Sequence, residues 1–279
     1  MTTLLLLFVA ATLLQTPPSA ARSAKKTAQL PDAKTILERA AAASGTAEAR
    51  KAIQTEKLSG KMVVADAGIA GTIVIYRSQR GQSYQVLEIP GAGKTEIANN
   101  GDVEWERSTL TGPKVRRVAQ TPGGLLEPDP MAALAVTDAY AKMETAGVDQ
   151  ADGRPCILVH QWPKANGPRQ TTCFDRETYL PVKFQLQAGT RMLTMILGDY
   201  RTVGDVKRPF LIETETMGQK VRVEVDTITL NDPLPTEASE LPEEIETLAY
   251  HQSTEVRETE VDKDRPTLRR KSALPATKK

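Results

Sequence analysis

The stretch GTIVIYRSQRGQSYQVLEIPGAGKTEIANNGDVEWER, residues 71–107, decides the fold. Apolar and polar residues alternate through Gly71–Ser78, Gln82–Ile89, Lys94–Ala98 and Val103–Arg107, which is the two-residue period of half-buried strands. Turn residues separate the runs. Pro90-Gly91 ends one, and Asn99-Asn100-Gly101-Asp102 supplies the positive φ angles of a tight hairpin. Working outward, Lys57–Ala65 pairs with Gly71–Ser78 across Asp66-Ala67-Gly68. Downstream, Arg154–Gln161, Arg169–Asp175, Leu180–Gln187, Arg191–Tyr200, Pro209–Thr216 and Lys220–Leu230 repeat the pattern between Gly, Pro and Asn residues. Ala139–Val148 has helix-forming composition, while the Asp152-Gly153 turn after it leaves a hairpin strand open.

Helices flank this series. Asp32 is placed to cap a helix whose apolar stripe is Ala33, Ile36, Leu37, Ala40 and Ala41, and Ser44-Gly45 ends it. A weaker turn covers Ala47–Ile53. Met131, Leu134 and Ala135 suggest a short mid-chain helix ending near Asp138. The predicted fold is mainly β (α+β): a strongly curved antiparallel half-barrel, with N-terminal and mid-chain helices covering its open side. So many consecutive strands need closure or a cover to protect their edges.

The chain start reads as an export signal. Leu4–Leu14 is apolar apart from Thr12 and too short for a span of about 20 residues. Pro17-Pro18 and the small residues Ser19-Ala20-Ala21 follow it, as in a cleaved signal peptide. Expected boundaries are 1–21 for that peptide, 22–30 for a linker, 31–242 for the half-barrel and 243–279 for a charged, disordered tail. No Cys follows the apolar run to carry a lipid anchor, so the expected location is the periplasm or another exported compartment. A net charge of +1 and 4% aromatic residues argue against nucleic acid as a partner.

Chemistry-bearing residues are few. The chain has two Cys and two His. Cys156 and Cys173 fall on partner strands and reach one face in any register whose paired positions sum to an odd number, so they are either a disulfide or two buried thiols. His160 shares that face, but four strand residues put it about 13 Å from Cys156, too far to share a metal ion. No metal or cofactor is expected. Asp199, Glu213, Glu215, Glu224 and Asp226 are the nearest candidate acid–base groups, and their alternation with Thr and Val is that of a solvated face. No Gly-x-Ser-x-Gly, His-Glu-x-x-His or P-loop motif occurs, so no enzymatic activity is expected.

Six segments carry a family resemblance. Gly71-Thr-Ile-Val-Ile-Tyr-Arg77, the strand ending Ile89-Pro90, and Asn100-Gly101-Asp102-Val103-Glu104-Trp105 resemble the lipoprotein-sorting proteins of the LolA/LolB-like superfamily. Asp152–Val159, Phe174–Val182 and Gly198–Phe210 resemble a related outer-membrane lipoprotein-sorting-like branch. The resemblance spans about Ala33 to Pro242. It implies an apolar cavity for a lipid or lipoprotein acyl chain under a helical lid, and a membrane-associated envelope partner. Arg77 matches the carriers' lid-holding arginine, with Ser78 where they have Pro. On this reading Ile36, Leu37, Leu87, Ile89, Trp105, Leu186, Met192, Met195 and Phe210 line the cavity. The alternative is an envelope interaction module of the same fold with a filled interior.

Overall fold

The computed structural model describes residues 30–117, 139–164, 167–188, 191–216 and 218–251. Among these residues, thirteen antiparallel strands form one sheet in the order β6-β5-β4-β3-β2-β1-β13-β12-β11-β10-β9-β8-β7. The strands are β1 Thr55–Val64, β2 Ile69–Ser78, β3 Ser83–Ile89, β4 Gly93–Asn99, β5 Val103–Ser108, β6 Gly112–Arg117, β7 Tyr140–Ala151, β8 Arg154–Pro163, β9 Gln170–Asp175, β10 Pro181–Ala188, β11 Arg191–Val203, β12 Val206–Thr216 and β13 Gln219–Leu230. Two meanders, β1–β6 and β7–β13, are joined by the β1–β13 pairing. β6 and β7 stand at opposite edges, so the sheet is open. Thirteen strands exceed the about ten that an open sheet carries without curling. The architecture is the expected half-barrel.

Helix α1, Ala33–Ala43, lies across the second meander. Asp32 caps it, accepting from the Thr35 amide at 2.9 Å. Ala33, Ile36, Leu37 and Ala40 form its buried stripe. Thr145 of β7 donates to Pro31 O at 2.8 Å, and Lys207 N of β12 donates to Ser44 O at 2.9 Å. Those strands are five steps apart in the sheet, about 24 Å along a flat surface. The helix with its caps is about 20 Å long, so it spans the sheet as a chord. Gly45 makes the close approach to β12: its φ is +138°, and a Cβ there would lie 2.8 Å from Asp205 O. Helix α2, Ala47–Ala52, follows, and the Arg50 guanidinium donates to the carbonyls of Ala41 and Gly45.

Strand registers sort the side chains into two faces. Thr145, Val159, Thr172, Phe184, Met195 and Thr214 lie in one row across β7 to β12. Thr145 contacts the start of α1, so this is the α1 face. A continuous apolar cluster covers it on six adjacent strands, from Ile73 and Ile75 of β2, through Leu58 and Met62 of β1, to Phe184 and Leu186 of β10. At the centre Gly60 lets β1 and β13 close up, since a Cβ there would lie 2.3 Å from Glu224 O.

The opposite face of the first meander has its own cover. Tyr84, Ala98, Trp105 and Val115 form a row there, beneath Ala238 and Ile245. Ile245 belongs to helix α3, residues 243–251. The ordered chain therefore runs beyond Pro242, correcting the start of the tail: Ile245, Leu248 and Ala249 give this charged segment enough apolar surface to dock. Two further differences concern strands. β6 lies outside the strands expected from the sequence, and β7 is a strand despite its helical composition, because pairing along β8 overrides local propensity. The leader, the mid-chain helix and the chain after residue 251 fall outside the described residues.

Candidate functional site

The sequence-predicted lining residues divide between the two faces. Ile36 and Leu37 of α1 are fully buried. Leu186, Met195 and Phe210 belong to the apolar cluster on the α1 face, and Leu87 and Ile89 pack against its margin. The Arg201 guanidinium sits 4.4 Å from the Phe210 ring centre and covers it. Two residues do not join this group. Met192 pairs with Gln187 and points away from Met195, because positions three apart on a strand face opposite ways; it is 45% exposed. Trp105 is fully buried, but on the opposite face under α3.

Arg77 stands opposite Glu56 in the β1–β2 register, on the α1 face. The Glu56 carboxylate pairs with Arg208 at 2.5 Å. The visible ties between α1 and the sheet are other residues. Besides the two backbone contacts at its ends, Arg39 donates to the Tyr179 hydroxyl at 2.6 Å and lies 5.1 Å from that ring's centre. Tyr179, in the β9–β10 turn, has φ +59°, a strained value for a bulky residue. Its place in the Phe174–Val182 segment was the one sequence signal for this contact.

The rim of the α1 face is only partly closed. Val64, Ile69, Leu87, Ile89, Leu193 and Val221 are partly buried around the cluster. A cleft of about 770 Å³ opens among the tips of β2, β3 and β4. Gly71 and Ile89 reach it from the α1 face, and Thr72, Glu88 and Lys94 from the other. Its volume is within the range of about 300–1,000 Å³ usual for small-molecule sites.

Polar chemistry gathers elsewhere. Glu96, on the α3 face, accepts from Tyr84 Oη at 2.5 Å, Arg107 Nε at 2.6 Å and Lys94 Nζ at 2.8 Å. Burial raises its pKa, but these three donors outweigh burial and hold the carboxyl down at about 2. Burial and the Glu96 carboxylate together push the Tyr84 phenol well above its ordinary range. Arg107 also reaches Glu244 of α3 at 3.2 Å, tying that helix to the sheet.

Four of the five candidate acid–base groups are engaged in surface ion pairs. Arg222 bridges Glu213 at 2.5 Å and Glu224 at 3.0 Å, Lys220 faces Glu215 at 3.7 Å, and Arg201 holds Asp199 at 2.5 Å. Asp226 is exposed. Cys156 and Cys173 are joined as a disulfide with Cα atoms 5.4 Å apart. The register is offset, with Cys156 opposite Asp175 and Cys173 opposite Leu158, so the bond is diagonal. The sulfurs are thus taken, and His160 bonds Thr171 Oγ1 at 3.0 Å. No helix among the described residues is long and apolar enough to cross a membrane.

Comparison with known proteins bears on the fold. No family model matches the sequence, and no curated protein sequence matches it significantly. Solved structures do match. A DUF1329 family protein from Desulfovibrio piger aligns with a TM-score of 0.52 at 12% identity, over 75% of this chain and 97% of that one. A LolA superfamily protein from Nitrosomonas europaea aligns with a TM-score of 0.51 at 14% identity, over 76% of this chain and 98% of that one. The open antiparallel sheet, crossed by an N-terminal helix, is a LolA-like fold.

Proposed function

We propose that the chain is an exported carrier or chaperone that shields a lipid or acyl chain between the α1 face of the sheet and its helical cover. The observation that carries this reading is the apolar cluster on that face. It is unbroken over six strands of an open sheet, and its rim is partly exposed. An acyl chain is the ligand such a surface fits, because burial is its only large source of affinity. At about 25 cal/mol per Å², burying roughly 400 Å² gives about 10 kcal/mol before the costs of association. The disulfide supports export, since such bonds persist in oxidising compartments. The ion-paired surface carboxylates support a non-enzymatic role.

Release requires α1 to leave the sheet. The contacts of Pro31, Arg39 and Ser44 are the polar ties that break in such a two-state opening, which a membrane-associated envelope partner would bias. Native mass spectrometry of the purified protein tests the proposal. A bound lipid, lost on organic extraction and replaced by a hydrophobic dye, is the expected result. Protein free of lipid and unable to bind the dye contradicts it.

A second reading has one observation in its favour. Each member of the apolar cluster is less than one-tenth exposed, as in an interior already filled by protein. The chain is then an interaction module of the same fold, and the same dye experiment separates the two.

A further inference from the structure

A small polar patch interrupts the α1 face. Gln161, Gln170, Leu186 and Leu193 form one row across β8 to β11. Leu186 is a member of the apolar cluster and Leu193 packs against it. Gln161 is fully buried at the other end of the row, two strands from Leu186. Its Oε1 accepts from Thr172 Oγ1 at 2.8 Å, which turns Nε2 the other way. The neighbouring Gln170 accepts from the Tyr140 hydroxyl at 3.2 Å. Burial pushes the Tyr140 phenol up to about 12.

Nε2 of Gln161 has no acceptor among the described residues. Folded proteins leave few buried donors unpaired, and each that remains calls for an explanation. Trp105 Nε1 is the other unpaired buried donor among the described residues, but it lies on the α3 face and cannot meet the same ligand.

The geometry points to Gln161 as the polar anchor of the acyl site, its Nε2 donating to the carbonyl oxygen of an ester- or amide-linked acyl chain. This inference rests on the carrier reading and adds the group by which the chain is recognised. A neutral oxygen fits because Tyr140, Gln161, Gln170 and Thr172 are all uncharged, and a carboxylate buried there would have no cation beside it. On the same face, Phe184 and Leu186, two strands away on β10, and Met195, three strands away on β11, supply the apolar surface for the methylene chain.

Three fluorescent probes test it: methyl cis-parinarate, cis-parinaric acid and the pure hydrocarbon diphenylhexatriene. Gln161→Leu should weaken the methyl ester about tenfold, the size of one buried hydrogen bond, and leave diphenylhexatriene within about twofold. Gln161→Met, closer in shape, should behave alike. Thr172→Val keeps the amide but removes the bond that orients it, and should give an intermediate loss for the ester alone. Equal losses for ester and hydrocarbon, or no loss for the ester, overturn the assignment while leaving the carrier reading intact. A loss confined to cis-parinaric acid overturns the neutral-carbonyl part. Wild-type protein that binds none of the probes removes the carrier reading, and this inference with it.

Discussion

The docked C-terminal helix makes a sharp prediction. Ile245 is fully buried in a cluster with Tyr84, Ala98, Trp105, Val115 and Ala238. Truncating it to alanine removes three carbons and leaves a cavity against an indole ring. Such changes cost about 2–5 kcal/mol. A value near 3 kcal/mol suits this helix, which can partly collapse onto the sheet. For a domain of this size, each kcal/mol moves Tm by about 2–4 °C, so Ile245→Ala should lower it by roughly 9 °C. The Arg107–Glu244 pair adds little, because both side chains are more than one-third exposed. Thermal unfolding followed by circular dichroism measures the shift. Truncation after Pro242 should also move tryptophan emission to the red, because it uncovers Trp105. An unchanged Tm for Ile245→Ala, within about 1 °C, would refute the docking, since a solvated tail gives that result.

Other outcomes follow from the same contacts. Reducing the disulfide opens a loop with a sequence separation of 17; the loss is about 3 kcal/mol, or roughly 10 °C in Tm, and equal melting with and without reductant would contradict it. Glu96 makes stability depend on acid. Its folded pKa of about 2 lies below the ordinary 4.5, so its contribution of about 3 kcal/mol is complete above pH 4.5 and is lost as pH falls toward 2. Melting curves from pH 6 to 2 should therefore converge for wild type and Glu96→Gln at the acid end, and parallel curves would count against the network. Ile36→Ala and Leu37→Ala should each cost about 2–5 kcal/mol, because α1 is seated by those two side chains; losses under about 1 kcal/mol would mean that α1 rests loosely on the sheet.

The sheet was legible because its turns are explicit. Asn99-Asn100-Gly101-Asp102, Asp152-Gly153 and Pro90-Gly91 each sit between alternating runs, and each closes a hairpin. β6 was not legible. Pro113 makes its sequence look like a loop, yet an edge strand tolerates proline. β7 has the composition of a helix, and only its partner β8 decides otherwise. The site was half legible. Ile36, Leu37, Leu186, Met195 and Phe210 are buried as their local apolar pattern implies, which suffices where burial follows period. Met192 contradicts that period and was open to rejection from the spacing alone. Trp105 required the register of four successive strands, from β2 to β5, to assign its face. Ile245 and Leu248 have helical spacing after Pro242, but the surrounding glutamates masked it. Gln161 gave no signal, since an unpaired amide shows only when its neighbours are placed.

Photolabelling reads the ligand's position directly. A fatty acyl ester bearing a diazirine on its chain, bound to the protein and irradiated, marks the residues it touches, and peptide mass spectrometry locates them. The account predicts adducts on the α1 face, at Leu87, Ile89, Leu186, Met195 or Phe210. Adducts confined to Met192, Trp105 or α3, or no adduct above that of unfolded protein, would contradict it.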